Sequence, residues 1–143
     1  MPTRRNKTIF QSITAGKPSE TGNAFWISAA YAGKLKKSSG RTGKWLFFVQ
    51  ERFIDDTWAN VKKEVESGKL WENAKVSTAL MSGGGVYVIC VYTYDHQDVT
   101  DVMAIRERLR EMGFKRSASY KTDEQTLEGK YSDNMDGLAK YKA

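Results

Sequence analysis

Val86-Tyr87-Val88-Ile89-Cys90-Val91-Tyr92-Thr93-Tyr94 is nearly all β-branched or aromatic. Such side chains pack well on a pleated surface, so the run predicts a strand. Ser82-Gly83-Gly84-Gly85 just before it supplies a hairpin-like turn. Upstream of that turn, residues 75–80 alternate: Val76, Thr78 and Leu80 share one face, with Lys75, Ser77 and Ala79 on the other. Downstream, Asp98 caps a helix whose inward stripe is Val102, Ile105, Leu109 and Met112, and Gly113 ends it. Residues 117–122 supply a further strand. Further upstream, Trp45-Leu46-Phe47-Phe48-Val49 is apolar on both faces, as a central strand would be. Between 45–49 and 75–80, Ile54, Trp58, Val61 and Val65 recur at helical spacing, with Asp55 or Asp56 as the cap and Gly68 as the stop.

From residue 44 onward the order is therefore β-α-β-β-α-β. The fold class is α+β: a largely antiparallel sheet with two helices, near 55–67 and 98–112, on one face. The other face is left free, and a ligand can sit there. Residues 24–131 make a single domain, preceded by a flexible basic arm over 1–23 that holds one short strand around Ile9-Phe10. A polar, frayed tail over 132–143 follows. At 143 residues there is room for one core and not two.

Charge is unevenly placed. Through residue 44 nine basic residues stand against one acid, Glu20, whereas the remainder carries 14 bases against 16 acids. A field of that kind concentrates an anionic partner, although a solvated tail would show the same composition. A single cysteine, Cys90, excludes an internal disulfide, and mid-strand it reads as inert packing. A single histidine, His96, excludes a zinc site built on several histidines. No run approaches the roughly 18 apolar residues of a membrane helix, and no apolar signal core follows the N-terminal arginines. The expectation is a cytoplasmic protein with no metal, no cofactor and no membrane partner.

Gly40-Arg41-Thr42-Gly43-Lys44 invites a phosphate-loop reading, which fails. Trp45 stands where a magnesium-binding Ser or Thr belongs, Ser38 replaces the first glycine, and the loop precedes a strand instead of opening a helix. What remains is a set of strand lysines. Lys44, Lys75 and Lys121 fall on neighbouring strands, and parity puts them on the face away from the helices, close enough to share one anion. Ser77 lies on the Lys75 face and adds a hydroxyl, Arg41 offers a bidentate grip on phosphate, and Trp26 or Tyr120 offers a ring for stacking. Core packing is the competing role for Trp26. His96, at the end of the strongest strand, is the candidate acid or base; the competing reading is a loop residue ahead of the Asp98 cap.

Phe25-Trp26-Ile27-Ser28, Gly43-Lys44-Trp45-Leu46, Ala74-Lys75-Val76-Ser77-Thr78, Val91-Tyr92-Thr93-Tyr94-Asp95 and Tyr120-Lys121-Thr122-Asp123 resemble blocks of the basophilic-leukaemia-expressed protein family. The resemblance spans roughly residues 25–131. Members are often labelled phosphothreonine-lyase-domain proteins, and their fold is similar to that of the cap-binding translation initiation factor 4E. It implies a curved antiparallel sheet backed by helices, with a ligand on the concave side. Two departures matter. A cap-binding factor sandwiches its base between two loop tryptophans, whereas the 81–85 loop here has no aromatic. A phosphothreonine lyase needs a lysine base and a histidine acid, which would make Lys75 or Lys121 the base and His96 the acid. The leading expectation is a binding module for a nucleotide or other phosphate-bearing small molecule, sensing or sequestering a nucleotide signal. The alternatives are a phosphothreonine-lyase-like enzyme and a protein that binds an RNA end or other nucleic acid.

Overall fold

The computed structural model describes residues 8–83, 85–124 and 139–143. Their strands are β1 (Phe10–Ile13), β2 (Ala24–Ala30), β3 (Gly43–Gln50), β4 (Asn73–Ser77), β5 (Val86–Thr93), β6 (Ser119–Thr122) and β7 (Tyr141–Lys142). They form one sheet in the order β1-β2-β4-β5-β3-β6-β7. Every pairing is antiparallel except β1 with β2, which is parallel. The helices are α1 (Glu51–Glu66), the single turn α2 (Ala79–Ser82) and α3 (Val99–Glu111). The α+β architecture holds, with β5 and β3 at its centre as their apolar composition requires.

Both long helices cover the same face. Ile54, Trp58, Val61 and Val65 of α1 and Val102, Ile105 and Leu109 of α3 enter one core with Ile27, Trp45, Phe47, Val76, Tyr87, Ile89, Val91 and Tyr120 from the sheet. Each of these strand residues shares a parity that points toward the helices, and their neighbours point away. The Trp45 indole N–H donates to the Val102 carbonyl at 3.1 Å, which ties the central strand to α3.

Local boundaries depart from the sequence-based expectation where polar groups redirect the chain. Strand β4 ends at Ser77, short of Leu80, because residues 79–82 close a helical turn in which Ser82 N–H bonds the Thr78 carbonyl at 2.7 Å. Gly83, at φ +65°, terminates that turn in the left-handed region, where glycine carries no Cβ penalty. Helix α1 starts at Glu51 directly from β3, so neither Asp55 nor Asp56 is its cap. Asp55 instead accepts from the Ser19 N–H at 3.0 Å and its hydroxyl at 2.5 Å, anchoring the N-terminal segment to α1. Asp98 does cap α3, accepting from Asp101 N–H at 3.1 Å. The expected strand near Phe10 is β1. Most of the segment expected as a frayed tail lies outside the described residues, but Tyr141–Lys142 form β7, and Lys140 and Ala143 bond to Tyr120 and Ala118 on either side of it.

Two buried side chains hold that C-terminal strand. Arg106 on α3 is fully buried and donates to the carbonyls of Ala143 (2.9 Å), Phe114 (2.8 Å) and Arg116 (2.6 Å). Its guanidinium also lies 5.8 Å from the Trp45 ring centroid and 5.4 Å from that of Phe47. His96 is almost fully buried; its Nδ1 stands 2.8 Å from Lys140 Nζ, and its carbonyl accepts from the Tyr141 hydroxyl at 2.8 Å. Burial, and then the Lys140 charge, pull the His96 pKa below its ordinary value. His96 is thus a fastener of β7.

Arg106→Ala should lower stability by about 3 kcal/mol or more, because three carbonyls lose charge-assisted donors at once. Arg106→Lys should not restore it, since one ammonium cannot reproduce the planar fork. Urea midpoints measure both. His96 makes stability depend on pH: the unfolded chain takes up its proton near pH 6.5 while the folded chain resists, so stability falls as pH drops below about 6.5. His96→Gln, whose carbonyl still accepts from Lys140, should flatten the slope between pH 7 and 5. An unchanged slope in that variant would contradict the assignment, because the chain has no other histidine.

Candidate functional site

On the face away from the helices, strand register sets the side chains in rows. One row runs from Ser28 through Lys75 and Cys90 to Leu46 and Ser119. The next holds Tyr92, Lys44 and Lys121. On the other side of the Lys75 row lie Trp26 and Ser77, which are partners across β2 and β4. All three lysines are on this face, in two adjacent rows.

Their environments differ. Lys44 and Lys121 are direct partners across β3 and β6, which sets their Cα atoms about 5 Å apart. Like charges placed so repel, and both side chains are buried, Lys121 fully. Lys44 is answered by Asp123, with Nζ 2.8 Å from Oδ1, and lies 5.5 Å from the Tyr92 ring centroid. Burial first, and then Lys44, lower the Lys121 pKa. Lys75, half-buried, holds its ammonium 3.9 Å from the Trp26 ring centroid, a cation–π contact. Burial lowers its pKa; Cys90 and Asp123 oppose the shift and Lys44 reinforces it. Burial pushes the Cys90 thiol up to about 11, so at neutral pH it is a neutral floor between the lysines, without nucleophilic character.

The other residues singled out from sequence fall elsewhere or are already engaged. Trp26 is half-buried on the free face, beside Lys75, outside the core that claims Trp45 and Trp58. Ser77 is on the free face but buried, and its hydroxyl takes the Val88 N–H at 3.0 Å and meets the Ser82 hydroxyl at 2.9 Å. Arg41 grips Asp95 through Nε (3.2 Å) and Nη2 (2.6 Å) at the end of the sheet, and its guanidinium holds that carboxyl down at about 2. Tyr120 must be withdrawn as a stacking ring. It is fully buried on the helix side, 5.2 Å from Trp45 and 5.3 Å from Tyr141 between centroids, with its hydroxyl 2.6 Å from that of Thr93. Gly43 is what admits it, since a Cβ there would stand 2.2 Å from the Tyr120 hydroxyl oxygen.

The His96 ring is engaged away from the lysine rows. His96 lies in the turn beyond the end of β5, where its N–H bonds the Arg41 carbonyl at 2.7 Å and its ring meets Lys140. Two residues missed in the sequence belong to the site. Asp123 follows β6 directly, and its N–H bonds the Thr42 carbonyl at 3.0 Å, so its place depends on the pairing of β3 with β6. Tyr92 required knowledge of which strand lies beside β3. A cavity of about 440 Å³ lies on the opposite side of the molecule, between α1 and the segment around Pro18. There Asp55 and Asp56 offset Lys17, Arg52 and Lys62, and the Lys62 ammonium is spent on the Thr14 carbonyl at 3.1 Å. That balance of charge offers phosphate nothing that the lysine face does not offer better.

Comparison with solved structures shows which known fold this is. A crystal structure of schistosome eIF4E complexed with m7GpppA and 4E-BP superposes with a TM-score of 0.60 at 14% identity, over 74% of this chain and 61% of that one. The corresponding complex with m7GpppG gives 0.56 at 14% identity, over 74% and 60%. The chain thus spans about three-fifths of the length of these neighbours, and at such identity the likeness establishes the eIF4E-like fold. The sequence profile of the basophilic leukemia-expressed protein Bles03 family matches residues 32–127, from the basic loop before β3 to just past β6, and the chain belongs to that family.

Proposed function

We propose that this chain is a binding module for a nucleotide or a similar phosphate-bearing small molecule, held on the free face of the sheet. The observation that carries the reading is the grouping of Lys75, Lys44 and Lys121 in adjacent rows beside the Trp26 indole. Three ammonium groups on one face repel one another, and a phosphate placed among them relieves that repulsion. An aromatic ring next to the cations adds a stacking surface for a base, which is the pairing of features a nucleotide presents. Ser77 and Arg41 support the site without reaching the ligand, one by closing the β4 turn and the other by bracing Asp95. The solved neighbours, whose complexes hold cap dinucleotides, are consistent with a nucleotide on this fold. A cytoplasmic setting, where nucleotides are abundant and a lone unpaired Cys90 is unremarkable, fits the same reading. The engagement of His96 with Lys140 and Tyr141 weighs against the phosphothreonine-lyase alternative, which needs a histidine acid free to meet the substrate beside Lys75 or Lys121.

A thermal-shift panel of ATP, GTP, CTP, UTP and pyrophosphate tests the proposal, because a ligand that binds only the folded state raises the midpoint by mass action. At least one nucleotide should stabilise the wild type, and raised salt should weaken the effect. Lys75→Ala should reduce affinity by about 1.5–3 kcal/mol, as expected for a lost charge-assisted bond. Trp26→Ala should cost about 1–3 kcal/mol if the base stacks there. Stabilisation by none of the five, or stabilisation untouched by both substitutions, would overturn the reading.

A further inference from the structure

Strand β7 has a short ladder. It spans two residues, paired with β6 as Lys142 with Ser119 and Tyr141 with Tyr120. Bonds at its two ends extend the grip: the Lys140 N–H donates to the Tyr120 carbonyl at 2.8 Å, and Ala143 and Ala118 exchange N–H bonds of 2.8 and 3.0 Å. So short a strand returns few bonds for the residues it orders, and side chains must supply the rest. Arg106 is one, through the Ala143 carbonyl at 2.9 Å, and its guanidinium keeps its charge at any ordinary pH. His96 is the other. Lys140 donates its ammonium to His96 Nδ1 at 2.8 Å, which places the neutral ring's proton on Nε2. Tyr141 donates its hydroxyl to the His96 carbonyl at 2.8 Å and lays its ring 5.3 Å from that of Tyr120. Part of the hold on β7 thus depends on the one side-chain type that ordinarily titrates near pH 6.5.

We propose that His96 and Lys140 form a pH-sensitive clasp, in which protonation of the imidazole releases β7 from β6 while the rest of the sheet stays folded. Protonated Nδ1 has no lone pair left to accept the ammonium, so a hydrogen bond becomes a pair of like charges at close range. His96 is almost fully buried, and water does little to screen that pair. The other charges bearing on the ring come from three neighbouring segments. Asp95 favours the imidazolium, but Arg41 grips Asp95 and its own charge opposes protonation; Glu124, just past β6, favours it least strongly of all. Burial and Lys140 outrank each of them, so the closed form resists the proton.

Once β7 is released the ring is free of Lys140, and its proton affinity returns toward the ordinary value. The sign follows: the open form takes up the proton first, so falling pH favours opening. At pH 5.5 a histidine of pKa near 6.5 is protonated about ten to one, which multiplies the opening equilibrium by about tenfold. Nothing in the central pairing of β3 with β5, or in α1 and α3, answers to the same proton, since the chain has no second histidine. Opening leaves β6 as the edge of the sheet and withdraws the Tyr141 ring from Tyr120.

Residue-resolved hydrogen exchange on the full chain tests this, read as protection factors so that the intrinsic effect of pH on exchange divides out. The amides of Ala118, Lys140 and Ala143 should be less protected than those pairing β3 with β5, and their protection should fall about tenfold between pH 7.5 and 5.5. The central amides should remain the more strongly protected at both values. His96→Gln should abolish the fall, and Lys140→Met, which removes the ammonium and keeps the length of the side chain, should reduce it. Equal protection in β7 and the central strands would overturn the clasp, because β7 would then leave only when the whole chain unfolds. A wild-type fall of less than about twofold would overturn it too, because Lys140 would then swing aside with β7 in place. So would a fall that persists in His96→Gln or is undiminished in Lys140→Met.

Discussion

A strand side chain has two faces to choose between, and in this protein one choice repeated across the sheet determines nearly everything else. Trp45 and Phe47 turn toward α1 and α3, so Lys44 and Leu46 must turn away. The same alternation carries Val76 inward and Lys75 outward on β4, and Tyr120 inward and Lys121 outward on β6. A slip of one residue in any of these strands would drive a lysine into the core and an apolar side chain out of it. The apolar content of the helix face therefore fixes the register, and the register fixes the charged rows on the other face. Core and site are set by one constraint.

Burying Lys44 and Lys121 side by side costs stability. Two apolar residues on the same row would remove both the desolvation penalty and the mutual repulsion. Asp123 answers Lys44 and Tyr92 shields it. Those contacts moderate the penalty.

Much of this was legible in the sequence because it depends on periodicity. The helical stripe from Ile54 to Val65, the Asp98 cap, the central strands and the lysine parity all follow from spacings of 3.6 or 2 residues, and the structure places them accordingly. The departures arise where a polar group far away in sequence decides. Asp55 looks like a cap in isolation but serves Ser19, and β4 stops at Ser77 because hydroxyls close the next turn. The parallel strand β1 and the C-terminal strand β7 carry too few residues to show a period. Arg106 hid in an otherwise apolar stripe because its value lies in three carbonyls brought from elsewhere.

Tyr120 and Trp26 show what fold likeness leaves undecided. Both are aromatic, both lie on strands, and either could stack on a base if composition alone were the guide. Tyr120 is closed off because Gly43 leaves room for it on the helix side, where Trp45, Tyr141 and Thr93 enclose it. Trp26 stays on the open side, and there its partner is a lysine. The eIF4E-like sheet supplies a face on which an aromatic ring and a set of charges can meet. Which ring meets which charge depends on single positions, and a backbone superposition at 14% identity carries no information about them. The chemistry of this family member is therefore to be sought in the Trp26–Lys75 contact and the paired lysines beside it, which belong to its own sequence.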